Sequence, residues 1–425
     1  MNRFAGLTLA FLAVASSLWA AGPSDEQEAP PPVAESVPST GAPELRAEEW
    51  RQLRLGKRLS PPRQGLLQGL MIDAQDVPSL PFLAVPVHDF SVRPGGQRTG
   101  GGLSLIVEYW DPERAASHFN VFASAAYSLT RYQTYELRLG QVPRDADTWS
   151  RYRYLYVDLR RRDLPREAFF GLGPASRAAQ ETSYRLRDFS YELVGRSRLA
   201  GPLTGALRFG GVSPDVGRGE ETGVPSIEQV FTDAQAPGLV EQPRLLHAAA
   251  ELRLDWRDHP RNAHRGGAIG LTAERYFGAE AFSFNRISLD ARHAWSLGSP
   301  QRVLALRGYA SAARADSGSR VPFYLQDTLG DSHSLRGFAD FRFRGPKVLL
   351  LSAEYRWEVI PALELALFQD AGAVGERLSD LRLEKLRGDF GAGLRLKRSD
   401  CVVFRLDVAR STEETRVLAS TSFSF

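Results

Sequence analysis

From about residue 82 onward, hydrophobic and polar residues alternate one by one over segments of about ten residues. The segment 246–257 has one apolar face and one charged face. The apolar face carries Leu246, Ala248, Ala250, Leu252, Leu254 and Trp256, and the charged face carries His247, Glu251, Arg253, Asp255 and Arg257. Segments 286–295 and 347–358 alternate in the same way. A period of two residues predicts β-strands, and repeated amphipathic strands of this length predict a transmembrane β-barrel.

A soluble β-sandwich or β-barrel also alternates, so this alternative has to be weighed. Three features favour the membrane barrel. The inward face carries charged residues, where a soluble core would be apolar. Aromatic residues collect near the strand ends, as in an interfacial girdle, at Tyr109, Trp110, Trp295, Tyr355 and Trp357. The chain also ends in an aromatic residue, Phe425, and its N-terminus indicates export.

Counting the amphipathic segments predicts sixteen antiparallel strands. Their spans are 82–92, 101–111, 118–128, 131–140, 148–160, 182–194, 203–212, 246–257, 265–276, 282–295, 302–313, 345–358, 363–373, 388–398, 401–410 and 416–425. An even number places both ends of the barrel chain on the periplasmic side. The connections 257–265, 296–301, 359–362 and 399–400 are then short periplasmic turns, and 161–181, 213–243, 314–344 and 374–387 are long extracellular loops. This asymmetry is typical of outer-membrane barrels.

The N-terminal 80 residues differ from the rest of the chain. Residues 1–21 are predicted to be a cleaved signal peptide, because Arg3 precedes an apolar run that ends in small residues. An N-terminal membrane anchor is the alternative, but Gly and Ser interrupt the run. Residues 22–80 are predicted to be a Pro-rich periplasmic linker, within which the charged segment 44–59 is compatible with a short helix. Residues 81–425 are assigned to the barrel.

Composition excludes several functional classes. A single Cys rules out a disulfide scaffold and a Cys-based zinc cluster. The net charge of +3 arises from scattered basic residues, so no nucleic-acid partner is expected. No G-x-S-x-G or comparable nucleophile motif is present, so we expect no enzyme and no catalytic residue. His259 and His264 lie in one predicted turn beside Asp258, where solvated residues are favoured over a metal site. No metal or cofactor is predicted.

Four short motifs are informative together. They are Leu335-Arg336-Gly337-Phe338, Phe368-Gln369-Asp370-Ala371-Gly372, Trp256-Arg257-Asp258-His259-Pro260 with Arg265-Gly266, and Phe170-Gly171-Leu172-Gly173. With these motifs, residues 165–425 resemble the BamA/TamA superfamily, the bacterial surface antigen outer-membrane barrels. The first motif resembles the family's [VL]-R-G-[FY] motif in the loop between strands eleven and twelve. The second resembles the family's F-x-D-x-G motif on strand thirteen.

The resemblance implies a loop-anchoring site. Asp370 falls in phase with Glu364, Ala366 and Phe368, opposite three Leu residues, so its side chain should face the lumen. The resemblance implies that Arg336 reaches Asp370 from a loop folded into the lumen, and a bidentate Arg–carboxylate pair suits such an anchor. Solvated, separate charges are the alternative. The predicted site comprises Arg336, Gly337, Phe338, Phe368, Asp370 and Gly372. The final residues, with Phe423 and Phe425, resemble the signal that the barrel assembly machinery reads.

The chain also departs from the well-known members of the family. Those members carry POTRA domains before the barrel, and residues 22–80 show no such pattern, so a branch without POTRA domains is expected. The predicted fold is all-β: a sixteen-stranded antiparallel transmembrane barrel with an infolded loop between strands eleven and twelve. The resemblance implies protein or lipid transport or assembly at the bacterial outer membrane. Expected partners are outer-membrane lipids, the assembly machinery during biogenesis, and a client that the sequence does not identify. A passive diffusion channel with an Arg-rich lumen and a surface antigen using the loop 213–243 are the alternatives.

Overall fold

The computed structural model describes residues 85–87, 89–97, 99–110, 119–143, 153–260, 262–278, 281–398 and 401–420. The predicted signal peptide and the linker, residues 1–21 and 22–80, lie outside the described residues. The described part consists of β-strands, their connections and five short 3₁₀ turns. Among these residues, no helix has the length and apolar character that a membrane crossing needs.

Sixteen strands follow one another in a single antiparallel meander that curls into a nearly closed barrel. They are β1 (Phe90–Gly96), β2 (Leu103–Trp110), β3 (Asn120–Ser128), β4 (Gln133–Gly140), β5 (Tyr154–Phe169), β6 (Thr182–Ala200), β7 (Leu203–Arg218), β8 (Leu245–Asp255), β9 (Gly266–Gly278), β10 (Phe284–Ser296), β11 (Arg302–Ala315), β12 (Lys347–Ile360), β13 (Leu363–Gly375), β14 (Arg387–Arg398), β15 (Cys401–Arg410) and β16 (Thr415–Ser420). The predicted all-β class, antiparallel order and strand number are confirmed.

Four predicted strands differ clearly in their boundaries. The sixth and seventh, predicted over 182–194 and 203–212, extend to Ala200 and Arg218, so residues 213–218 belong to a strand and not to the predicted loop 213–243. The first predicted strand, 82–92, is divided: Val85–Val87 forms a short strand that turns back and pairs with β1. The fifth predicted strand, 148–160, instead extends to Phe169 and crosses a register shift between Leu164 and Glu167. An irregularity of this kind interrupts the alternation by which a strand is recognised in a sequence.

The two faces of the barrel follow the alternation of the sequence. On β8, Leu246 and Leu252 are 47% and 49% exposed, whereas His247 between them is 5% exposed. On β12, Trp357 is 43% exposed, whereas Glu354 is 1% exposed. Apolar side chains therefore point outward and charged side chains inward, which is the reverse of a soluble protein and suits a barrel in lipid.

Long and short connections lie at opposite ends of the barrel. The end with the connections 170–181, 219–244, 316–346 and 376–386 is called the loop end. The end with the connections 201–202, 256–265, 297–301 and 361–362 is called the turn end. Strands β5, β6 and β7 contain 16, 19 and 16 residues, more than the roughly 9–11 that a tilted strand needs to cross a bilayer. These strands therefore reach beyond the membrane at the loop end.

The long connections share a buried aromatic cluster at the loop end. Phe323 of the connection 316–346 makes T-shaped contacts with Phe169 and Tyr184, at ring-centroid distances of 5.1 and 4.9 Å. Phe231 of the connection 219–244 packs edge-on against Phe169 at 4.9 Å. All four rings are buried, so the loop end is a packed structure rather than a set of independent loops.

The first prediction concerns the orientation of the barrel in the membrane. An epitope tag inserted at the exposed Gly223, in the connection 219–244, is expected to bind antibody on intact cells, because long loops of such barrels face outward. A tag at Gly298, in the short connection 297–301, is the control and is expected to need permeabilised cells. A tag at Gly223 that stays protected on intact cells would reverse the orientation.

Candidate functional site

The motif with Arg336 lies in the connection 316–346, between β11 and β12. A two-stranded ribbon, Asp327–Leu329 with Phe343–Gly345, closes the base of the segment that carries the motif. At Gly330 the backbone has φ +103°, and a Cβ atom there would lie 2.2 Å from the carbonyl oxygen of Ala339. Only glycine fits this reversal, which directs the motif toward the barrel wall.

The structure brings Arg336 and Asp370 together. The Arg336 guanidinium donates from Nε to Asp370 Oδ2 at 2.6 Å and from Nη2 to Oδ1 at 3.1 Å, which is the bidentate geometry. Its third nitrogen, Nη1, donates to Glu354 at 2.9 Å and to Asp407 at 3.4 Å. Arg336 and Asp370 are 2% and 1% exposed. One loop side chain therefore contacts three strands, β12, β13 and β15.

The Phe368 ring stacks on the flat face of the same guanidinium. The Arg336 Cζ atom lies 3.4 Å from the centroid of the Phe368 ring, a close cation–π stack. Burial by itself would lower the pKa of Arg336, but the carboxylates of Asp370 and Glu354 outweigh it and raise that pKa. Arg336 therefore stays charged at any physiological pH.

The remaining motif residues explain how the loop fits against the wall. Phe338 is fully buried and packs edge-on against Phe343 at 5.1 Å, in a cluster that includes Leu335 and Val374. Gly372 leaves room for the loop, because a Cβ atom there would lie 2.8 Å from Leu329 Cδ1. The six predicted site residues thus meet in one region; their role as a loop anchor stays a prediction.

Sequence reasoning missed a further group of buried charges around this pair. Arg395 of β14 donates from Nη2 to Glu354 at 2.8 Å, and Arg405 of β15 lies 3.3 Å from Asp407. Arg405 also donates to the carbonyl oxygen of Ser332 in the loop at 2.5 Å. Alternation showed that these side chains face inward, but nothing in a single sequence indicates which inward charges meet.

The second prediction concerns Gly337. A Cβ atom at this position would lie 2.7 Å from Asp389 Cβ, 2.9 Å from the Ser411 nitrogen and 3.0 Å from the Arg410 carbonyl carbon. Gly337→Ala must therefore displace the motif from β14 and the connection 411–414, at a cost of about 1–3 kcal/mol for overpacking. We expect faster proteolysis within 316–346, measured on purified barrel in detergent.

Gly217→Ala is the matched control for that substitution. Gly217 lies on β7, and a Cβ atom there meets no neighbouring atom within 4 Å. Its proteolysis rate should equal that of the parent protein. Equal rates for Gly337→Ala and the parent would mean that the loop does not rest against the wall at this point.

The other two sequence motifs lie elsewhere. In Phe170–Gly173, Gly173 has φ +77° and donates its N–H to the carbonyl oxygen of Arg344 at 2.8 Å, so this turn braces the loop end. The motif around Asp258 forms the connection 256–265 at the turn end. Among the residues that the structure describes, no group of three or more His, Cys, Asp or Glu side chains could hold a metal ion.

Comparison with known proteins agrees with this geometry. Residues 241–425 match the Omp85 superfamily domain. No curated protein matches the chain significantly in sequence. Among solved structures, BamA from Haemophilus ducreyi lacking POTRA domains 1–3 is similar, at 14% identity and a TM-score of 0.57, over 78% of this chain and 69% of that one. CdiB from Acinetobacter baumannii is 12% identical over 79% of this chain and 60% of that one, at a TM-score of 0.46.

At these identities the structural likeness to BamA bears on the fold alone, and the likeness to CdiB is too distant to add to it. The family match covers both predicted motifs, Arg336 to Phe338 in the connection 316–346 and Phe368 to Gly372 on β13. The strand count, the outward apolar face and the family match agree with one another. The chain therefore folds as a sixteen-stranded antiparallel β-barrel similar in fold to that of BamA, and its residues 241–425 match the Omp85 superfamily domain.

Proposed function

We propose that this protein is a plugged barrel that works in protein or lipid transport or assembly at the outer membrane, not a freely conducting pore. In this proposal the connection 316–346 folds into the lumen and Arg336 anchors it there. The supporting observation is the buried Arg336, whose guanidinium contacts lumen-facing carboxylates on three strands. A loop fixed in this manner obstructs diffusion until a client or partner displaces it.

The charges along the lumen argue against an anion channel. Several of its arginines pair with carboxylates on the same wall. Arg138 lies 2.5 Å from Glu136, and Arg162 lies 2.6 Å from Asp188. Arg307 lies 3.0 Å from Asp290. Paired charges attract mobile anions much less than free guanidinium groups, so the Arg content does not by itself favour anion transport.

Bilayer recordings test the plugged state. The purified barrel is expected to give small or infrequent openings in planar bilayers. A large, stable, anion-selective conductance from the parent protein would contradict the proposal and favour a diffusion channel.

Depletion in cells tests the transport or assembly role. Removing the protein is expected to change the level of specific outer-membrane proteins or lipids, measured by quantitative analysis of isolated outer membranes. An unchanged outer membrane would contradict this role and leave the barrel without a client. Complementation with the parent gene is the control.

We also propose that the chain reaches the outer membrane through a cleaved signal peptide, residues 1–21. The supporting observation is the apolar run after Arg3, which ends at two Ala residues, Ala20 and Ala21. N-terminal sequencing of the mature protein should begin at Gly22. A mature protein that begins at Met1 would contradict cleavage.

A further inference from the structure

The connection 256–265, here called the inner turn, lies at the turn end, and its described residues, 256–260 and 262–265, are held by a network of hydrogen bonds. Arg257 donates from Nε and Nη2 to the Asp255 carboxylate, at 2.9 and 2.7 Å. Its remaining nitrogen, Nη1, donates to the carbonyl oxygen of Pro260 at 2.8 Å. The Arg257 side chain is 8% exposed. This fork therefore ties the inner turn to the end of β8.

A second set of hydrogen bonds fixes the backbone where the inner turn reverses toward β9. Asp258 accepts the backbone N–H of His259 at 2.9 Å and of His264 at 3.0 Å. Burial raises the pKa of Asp258, but the backbone N–H groups of Arg265, His264 and His259 outweigh it and lower that pKa, so the carboxylate stays charged. Gly266 has φ +86°, and a Cβ atom there would lie 2.3 Å from the carbonyl oxygen of Trp256. The sequence motif thus specifies the shape of this turn.

The shaped turn presents two residues to β12, three strands further along the barrel than β9. Arg356 of β12 donates from Nη1 to Asn262 Oδ1 at 2.6 Å and from Nη2 to the carbonyl oxygen of Ala263 at 3.0 Å. Asn262 and Arg356 are 1% and 7% exposed. Ala263 packs against a small apolar cluster of inward-facing residues, Ala294, Val303 and Ala305. The inner turn therefore folds inward against β10, β11 and β12 rather than extending into solvent.

The same strand carries the contact to the loop motif. Glu354 lies two residues from Arg356 on the inward face of β12, with 3.9 Å between Glu354 Oε1 and Arg356 Nε. The other carboxylate oxygen, Glu354 Oε2, lies 2.9 Å from Arg336 Nη1. All three side chains are at least nine-tenths buried. A continuous chain of charged contacts thus joins the inner turn to the connection 316–346.

We infer that the inner turn is a gate at the turn end of the lumen, that Arg356 latches it through Asn262 and Ala263, and that Glu354 couples this latch to Arg336. This goes beyond the plugged barrel proposed above, which concerns the loop end alone. Coupling free energy is reciprocal, so a client that displaces either closure also loosens the other. The barrel then has two closures that open together when a client displaces either one.

Thiol accessibility under the inner turn tests the latch. The reporter is Ala294→Cys in a Cys401→Ser background, labelled with a membrane-impermeant maleimide in nanodiscs. Asn262→Ala should speed labelling about tenfold or more, since a hydrogen bond to a charged group is lost. Asn262→Asp keeps an acceptor for Arg356 and should label as slowly as the parent. Ser299→Ala, in the neighbouring connection 297–301, is the matched control and should also label slowly.

Heat-modifiable migration on gels verifies that each variant is folded. Labelling of Asn262→Ala at the parent rate would overturn the gate, as would equally fast labelling of Ser299→Ala. These outcomes are independent of bilayer conductance, so failure of the gate and failure of the plugged barrel are distinguishable.

Proteolysis at the other end of the barrel tests the coupling. In the Asn262→Ala variant, cleavage within 316–346 should become several-fold faster, although the substitution lies at the turn end. The reciprocal variant, Arg336→Ala, should speed labelling at position 294. If neither distant effect occurs, the two closures act separately and the inference is wrong.

Discussion

Arg336→Ala is expected to release the connection 316–346 from the lumen wall while the barrel itself stays assembled. The substitution leaves Asp370, Glu354 and Asp407 without the guanidinium that they share, although all three are at most 1% exposed. Removing one partner of a buried ion pair typically costs about 3–5 kcal/mol, because the remaining charge is uncompensated. The strand hydrogen bonds do not involve the loop, so heat-modifiable migration should persist.

Two measurements should detect the released loop. Bilayer conductance should become larger or noisier than in the parent, and proteolysis within 316–346 should be faster. Arg162→Ala is the matched control, because it breaks a lumen pair with Asp188 that does not involve Arg336. Parent-like conductance and proteolysis in Arg336→Ala would contradict the anchor.

The Asp370→Ala variant measures how much of the loop anchoring depends on Asp370 rather than on Glu354 and Asp407. Arg336 keeps Glu354 and Asp407 in this variant, so its effect should be in the same direction but smaller. The double variant should be no worse than Arg336→Ala alone, because both substitutions remove the same contact. Additive effects would show that the two residues act independently and would exclude the anchored loop.

Deletion of Phe423–Phe425 is expected to abolish assembly, and Phe425→Ala to impair it. These residues lie outside the described part of the chain, so the expectation rests on the sequence and on the register beside them. Strand β16 pairs with β15 from Arg410↔Thr415 to Arg405↔Ser420. The same register, continued past Ser420, makes residues 423 and 424 the expected partners of residues 402 and 401. Their deletion is expected to leave these backbone groups of β15 unpaired in lipid, at several kcal/mol each.

Assembly is measured by heat-modifiable migration and protease resistance of isolated outer membranes. Phe390→Ala, on the exposed face of β14, removes a similar outward aromatic ring away from the chain end and serves as the control. A deletion variant that forms normal, protease-resistant barrel would show that the terminal residues are neither a signal nor part of the closure.

The sequence by itself determined the class of fold and the direction of most side chains. A period of two residues assigns each residue to a face, so Leu252 could be placed in lipid and Asp370 in the lumen without coordinates. Turn residues between the amphipathic segments were enough to count sixteen strands. The resemblance of two motifs to a known family then named Arg336 and Asp370 as a pair.

Only the tertiary structure decided which inward charges meet. Alternation places Glu354, Arg395 and Asp407 on the inner face. It does not show the curvature that brings their three strands around the Arg336 guanidinium. It is equally silent about Asn262, which is polar, lies in a turn and nevertheless is buried against Arg356. Side-chain direction is a local property of the strand, whereas contacts across a lumen depend on the closure of the whole sheet.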